Sequence, residues 1–170
     1  RYPMPDNWSP DGGWRVDRAL VFAHALQESR FQTKAVSPAG ARGLMQVLPG
    51  TAKLMAEKLD LGFDAGKLTS DPAYNVALGA AYLAEMAEEF GPSIALIAAG
   101  YNAGPGRPRR WIGEFGDPRS PDVDVVDWIE TIPFTETRTY VMRVAEGVVL
   151  YRAKLKGAVG PVRITAELKG

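Results

Sequence analysis

The stretch ALQESRFQTKAVSPAGARGLMQ, residues 25–46, sets an apolar helix that ends on a carboxylate against a loop rich in Ser, Gly and Pro. Ala25, His24, Val21 and Leu20 precede Glu28 by three, four, seven and eight residues, the spacings that share one helical face. Phe31 is expected to follow on the same side. Glu28 therefore closes an apolar stripe. Burial there disfavours the charged form, so the pattern predicts a carboxyl that stays protonated near neutrality, as a general acid must. The plainer alternative is a helix-end glutamate that is solvated or paired with a neighbour such as Arg30 or Lys34. The loop that follows carries small residues that let backbone approach a ligand closely. It ends on Gln46, whose amide offers both a donor and an acceptor, suited to sugar hydroxyls and acetamido groups. The alternative there is an ordinary helix–helix connection.

Around this stretch the composition sets bounds. With 170 residues, 46% of them hydrophobic and 24% charged, the chain is long enough for one compact globular domain with a real core. The formal net charge of +0 gives no electrostatic reason to expect nucleic acid or an anionic membrane surface as a partner. Absence of cysteine removes disulfides, thiol nucleophiles and thiolate metal sites. His24 stands alone as the only histidine, which is too little for a metal centre. It reads as a structural residue, although a supporting role one turn before Glu28 is conceivable. No cofactor and no metal are expected. No stretch approaches the roughly 20 apolar residues that span a bilayer. The chain opens on Arg1 rather than Met and reads as a processed protein or an excised domain.

The pattern predicts an all-α domain. Residues 1–18 read as an irregular lead-in that drapes on the fold. A helix is expected from Asp17, as N-cap, to Ser29. Leu44 to Leu48 reads as a helical turn stopped by Pro49-Gly50, with Thr51 capping a helix to about Leu59. Asp71 suits an N-cap, Pro72 a first helical position and Gly91 a C-terminal stop, with Val76, Leu78, Ala81, Tyr82 and Met86 on the apolar face. Pro92 is expected to open a further helix, broken by NAGPGRP. RRWIGEF reads as a helical turn, residues 123–130 as a helix, and Thr135 to about Leu155 as a long helix with Tyr140, Val141, Val144, Val148, Tyr151 and Leu155 on one face. The glycine-rich tail, residues 157–170, reads as weakly strand-like and as a terminal extension.

Two further loops carry candidate ligand groups. AAGYNAGPGR places Tyr101 and Asn102 at a helix end; the tyrosine hydroxyl could reach a ligand or simply sit in the core. IETIPFTETRTYV holds Glu130, which could meet a ligand or pair with an arginine, and Glu136, which a helix start favours through the dipole alone. GPGRPRR lacks phosphate-loop spacing, and its arginines read as a solvated face.

Taken in order, QES, SPAGARGLMQVLPGTA, DPAYNVALGAAYL, AAGYNAGPGR and ETIPFTETRTYV resemble the carboxyl-terminal catalytic domain of soluble lytic transglycosylases, of the lysozyme-like superfamily and near goose-type lysozyme. The resemblance runs from about Ala19 to Leu155. It implies a lysozyme-like multi-helix domain with a substrate cleft over residues 19–156. It implies peptidoglycan as substrate, cut between N-acetylmuramic acid and N-acetylglucosamine with formation of 1,6-anhydro ends. It makes Glu28 the catalytic acid/base, and Ser37, Gln46, Tyr101 and Glu130 substrate contacts. Leu48 stands where some relatives carry a cleft methionine, a change that keeps volume. Ser29, Met45, Asn102 and Tyr140 are secondary candidates. A periplasmic location in a Gram-negative envelope is implied, as a monomer or as part of a larger helical, ring-shaped protein. The rival readings are a lysozyme using water on the same scaffold, and a non-catalytic glycan-binding module.

Overall fold

The computed structural model describes residues 8–10, 12–156 and 164–170. Among them the fold is all-α, with two isolated bridges, Val36 to Arg42 and Arg42 to Val47, in place of any sheet. The helices are α1 (Arg18–Ser29), α2 (Pro49–Lys58), α3 (Lys67–Ser70), α4 (Pro72–Phe90), α5 (Ile94–Ala103), α6 (Gly106–Phe115), α7 (Val125–Thr131), α8 (Thr135–Lys156) and α9 (Ile164–Lys169). They fall into two compact units, Arg1–Ala84 and Glu85–Gly170.

In the first unit the expected caps are present. The Asp17 carboxylate accepts from Ala19 N at 2.9 Å and starts α1. Asp71 accepts from Tyr74 N at 3.2 Å at the start of α4. The expected helical turn before Pro49 is an irregular turn, and Pro49-Gly50 begins α2 rather than ending anything. Proline suits a first helical turn because its missing N–H would be unsatisfied there anyway. Leu48, not Thr51, is the cap residue, and it caps without a side-chain bond. Helix α4 buries more than one stripe, since every residue from Tyr74 to Ala81 is inaccessible. Tyr82, expected on its apolar face, is half-buried. Of the lead-in, Trp8 lies against Phe31 and the Trp14 ring meets Phe22 edge-on, 5.7 Å between centroids; residues 1–7 lie outside the described residues.

The second unit is organised around α5, apolar on all sides and buried from Ile94 to Gly100, as a central helix must be. Helix α8 packs along it, and α6 and α9 also meet it. The helix expected to open at Pro92 begins at Ile94, with Ser93 as its N-cap, accepting from Leu96 N at 3.4 Å. Helix α4 stops at Gly91, whose φ of 66° suits glycine. RRWIGEF is not an isolated turn but the body of the ten-residue α6; Pro108 is tolerated because it falls in the first turn. Trp111 meets Trp128 and Phe134 in edge contacts, 6.5 and 5.7 Å between centroids. Helix α8 buries Tyr140, Val141, Val144, Val148 and Tyr151 as its spacing predicts, while Leu155 is half-buried. The tail corrects the strand expectation. Residues 164–169 form α9, with Leu168 fully buried, because tertiary packing overrides weak local propensity; the rest of the expected strand, residues 157–163, lies outside the described residues.

Candidate active site

In the first unit, the stripe behind Glu28 is as apolar as its spacing predicts. Leu20, Val21, His24 and Ala25 are all buried, and Glu28 itself is half-buried on the last turn of α1. Phe31 does not continue the stripe. The chain leaves the helix through two left-handed residues, Arg30 at φ 53° and Phe31 at φ 61°, which turn the backbone sharply away. His24 donates from Nδ1 to the Leu20 carbonyl at 2.8 Å. Full burial lowers its pKa from 6.5 to about 4, only partly opposed by that hydrogen bond. It is therefore a neutral core imidazole at pH 7.

The residue after Glu28 ties α1 to the loop. Ser29 is buried, and its hydroxyl donates to the Leu44 carbonyl at 2.6 Å, in preference to the longer 3.2 Å approach to Ala25 O. The loop is closed on itself. Arg42 and Val47 exchange both backbone bonds at 3.0 Å, and Gly43 N donates to Ala35 O at 2.8 Å. Ser37 Oγ accepts from Ala41 N at 3.0 Å, and Ser37 N donates to Ala41 O at 2.9 Å. Gln46 adopts φ 49°, and its amide nitrogen donates to Ala35 O and Gly43 O at 3.1 and 2.8 Å. Both amide hydrogens are thereby engaged, so the side-chain group left to face a ligand is the carbonyl. Leu48, just beyond, is 46% exposed.

A residue the sequence reading passed over holds the loop from the other side. Asn75, on α4 and wholly inaccessible, accepts from Met45 N at 2.9 Å through Oδ1. Its Nδ2 donates to Arg42 O at 2.9 Å and to Leu68 O at 3.0 Å. Gly43, at φ +75°, makes the close approach feasible, since a Cβ there would lie 2.1 Å from Leu68 O and 2.2 Å from Asn75 Nδ2. Met45 corrects an expectation. Its side chain is fully buried and lies against Gly79, where a Cβ would come within 2.4 Å of Sδ, so it packs the core instead of facing a ligand.

In the second unit Tyr101 and Asn102 occupy the last turn of α5, both half-buried. Asn102 Oδ1 accepts from Thr137 Oγ1 at 2.7 Å, tying the end of α5 to α8. Tyr140 is 8% exposed, on α8. Glu130 is on the solvent face of α7, opposite the buried Val125, Trp128 and Ile129. Glu28, Ser29, Ser37, Met45, Gln46 and Leu48 thus belong to one unit; Tyr101, Asn102, Glu130 and Tyr140 belong to the other.

Residues 10–121 match the sequence profile of the transglycosylase SLT domain. The soluble lytic murein transglycosylase of Escherichia coli (strain K12) is 38% identical over 141 residues, 82% of this chain and 21% of that protein. The chain thus spans about a fifth of the length of such curated relatives. Among solved structures, the 70 kDa soluble lytic transglycosylase SLT70 of Escherichia coli superposes with a TM-score of 0.76 at 37% identity, over 85% of this chain and 23% of that one. An inactive mutant of lytic transglycosylase Slt from Pseudomonas aeruginosa gives 0.77 at 39%, over 86% and 23%. The all-α, lysozyme-like fold expected from the sequence is the fold these structures share with this chain.

Proposed function

Because the chain belongs to the transglycosylase SLT domain family, we propose that it is a peptidoglycan lytic transglycosylase that cleaves the β-1,4 bond between N-acetylmuramic acid and N-acetylglucosamine and leaves 1,6-anhydromuramic ends. One observation carries the reading: Glu28 is half-buried at the end of a buried apolar stripe, and its neighbour Ser29 is hydrogen-bonded to the loop that carries Gln46.

Ordinary glycosidases use two carboxylates across the scissile bond. The sequence offers Glu28 as the buried candidate and Glu130 as the other glutamate at a helix end; with Glu130 read as a sugar contact and not a nucleophile, the substrate-assisted exception fits. Protonated Glu28 gives its proton to the leaving oxygen as the bond to C1 breaks. The 2-acetamido carbonyl oxygen of the substrate closes on C1 as an oxazolinium. Glu28, now a carboxylate, takes the proton of the 6-hydroxyl, whose oxygen attacks C1 and reopens the oxazolinium. The 1,6-anhydro ring forms, the proton returns to Glu28, and no water is consumed. Holding the 6-hydroxyl close to C1 is a proximity effect that must outrun water.

Ser37, Gln46, Leu48, Tyr101 and Glu130 are read as substrate contacts, with Ser29, Asn102 and Tyr140 as secondary residues. Gln46 acts as an acceptor for a sugar hydroxyl or acetamido N–H. The catalytic portion spans residues 19–156. The reaction takes place in the periplasm, on glycan strands; no described helix is long and apolar enough to cross a membrane. Glu28→Gln tests the assignment. It should abolish solubilisation of purified sacculi while leaving sacculus binding intact, and near-normal cleavage by that variant would sink the reading.

A further inference from the structure

Helix α9 ends in an arrangement that fixes a distant part of its own unit. The Lys169 ammonium donates to three backbone carbonyls, Pro118 O at 3.2 Å, Ser120 O at 2.8 Å and Val123 O. All three lie in the loop between α6 and α7. An ammonium has three donors on a compact charge and no acceptor, so one lysine can meet three converging carbonyls where the flat guanidinium fork of arginine could not. The loop is also folded locally. Asp117 takes a bidentate bond from Arg119 at 2.9 Å on both arms, and Val123 N donates to Ser120 O at 3.2 Å.

Lysine is itself held. Leu168 is fully buried and its carbonyl accepts from Ser93 Oγ at 2.9 Å, at the N-cap of α5. Glu167 is ion-paired with Arg152 on α8. Helix α9 therefore rests on α5 and α8 and reaches from them to the loop.

The last of the three carbonyls belongs to Val123. The next residue, Asp124, caps α7 through bonds to Val126 N and Asp127 N at 2.9 and 3.0 Å. Helix α7 has only seven residues, too few to be stable on local bonds alone. Its placement depends on its buried face and on how its first residue is held. Glu130 stands on the exposed face of this helix.

We propose that Lys169 is a positioning residue for Glu130: its ammonium anchors the carbonyls of residues 118–123, fixes the start of α7 and so sets where the Glu130 carboxylate stands. The proposal rests on the reading of Glu130 as a substrate contact. It gives the chain's last helix a task in substrate binding.

Two measurements separate the anchor from that reading. In hydrogen exchange, Lys169→Met should raise the exchange of backbone amides in residues 117–131 at least tenfold, with α5 unchanged; unaltered protection overturns the anchor. On soluble uncrosslinked glycan strands, Lys169→Met should raise KM several-fold and leave kcat within about twofold. Glu130→Gln should raise KM likewise, and the double variant should be no worse than Glu130→Gln alone, because both changes act through one group. An undiminished effect of Lys169→Met in the Glu130→Gln background overturns the proposal. Glu130→Gln with a normal KM overturns the reading of Glu130, and exchange still decides the anchor. Lys169→Gln, which keeps two donors without the charge, should fall between wild type and Lys169→Met in both measurements; equality with Lys169→Met in a fully folded protein would contradict the hydrogen-bonding role.

Discussion

Ser29 and Leu44, fifteen residues apart in sequence, are joined by a 2.6 Å hydrogen bond from hydroxyl to carbonyl. The bond sets the end of α1, where Glu28 stands, in a fixed relation to the loop that ends at Gln46. Neither partner is exposed, so water competes poorly and the bond is worth more than a surface one.

Ser29→Ala removes that bond and leaves the Leu44 carbonyl without this donor. The expected cost is about 1–3 kcal/mol of stability, a fall in Tm of roughly 2–12 °C for a chain of this size. If the bond also positions Glu28, kcat should fall roughly tenfold or more, since small misplacements at a reacting centre are costly. Thermal unfolding and initial rates on soluble glycan strands check the two parts separately; an unchanged kcat in a destabilised protein would make Ser29 a purely structural staple.

Asn75 and Gly43 form the opposite clamp. Asn75→Ala strips three hydrogen bonds from backbone groups, two of the bonds buried and one part-buried, and should cost about 3–5 kcal/mol, at the high end for a single substitution. Gly43→Ala should be comparably damaging, because it combines a backbone clash with Leu68 O and a φ of +75°. Denaturant unfolding measures both. A loss below about 1 kcal/mol for either would show that the loop shifts freely and is not clamped.

How much of this was legible beforehand depended on which physical signal each residue carries. Asp17, Asp71 and Gly91 announce helix ends because capping is local chemistry, and α1, α4 and α8 follow from spacing. Pro49-Gly50 misleads because the same pair that breaks a helix also suits its first turn. Helix α9 was invisible because its stability comes from Leu168, Glu167 and Lys169 finding partners far along the chain. At the site, the stripe behind Glu28 was readable from periodicity. The use of both Gln46 amide hydrogens inside the loop was not, since it depends on a left-handed backbone at Gln46 itself. Asn75 left one clue: a poor helix former at the start of the apolar run of α4, where a buried polar side chain must have partners.

His24 makes stability depend on pH. Its folded pKa, about 4, is below the usual 6.5, so between those values the unfolded chain binds the extra proton. Stability contributed by this group is then full above about 6.5 and declines as pH falls toward 4, by up to about 3 kcal/mol. Denaturant titrations across that window should show the decline, and His24→Gln, which does not titrate, should flatten it. A wild-type slope retained by His24→Gln would assign the dependence to carboxylates elsewhere.

The most direct test of the central claim is mass spectrometry of muropeptides released from purified sacculi by the purified protein. A lytic transglycosylase yields products one water lighter than hydrolysis products, with non-reducing 1,6-anhydromuramic ends, and that is the predicted result. Products of full mass with reducing ends would contradict it and make the protein a lysozyme-type hydrolase on the same scaffold.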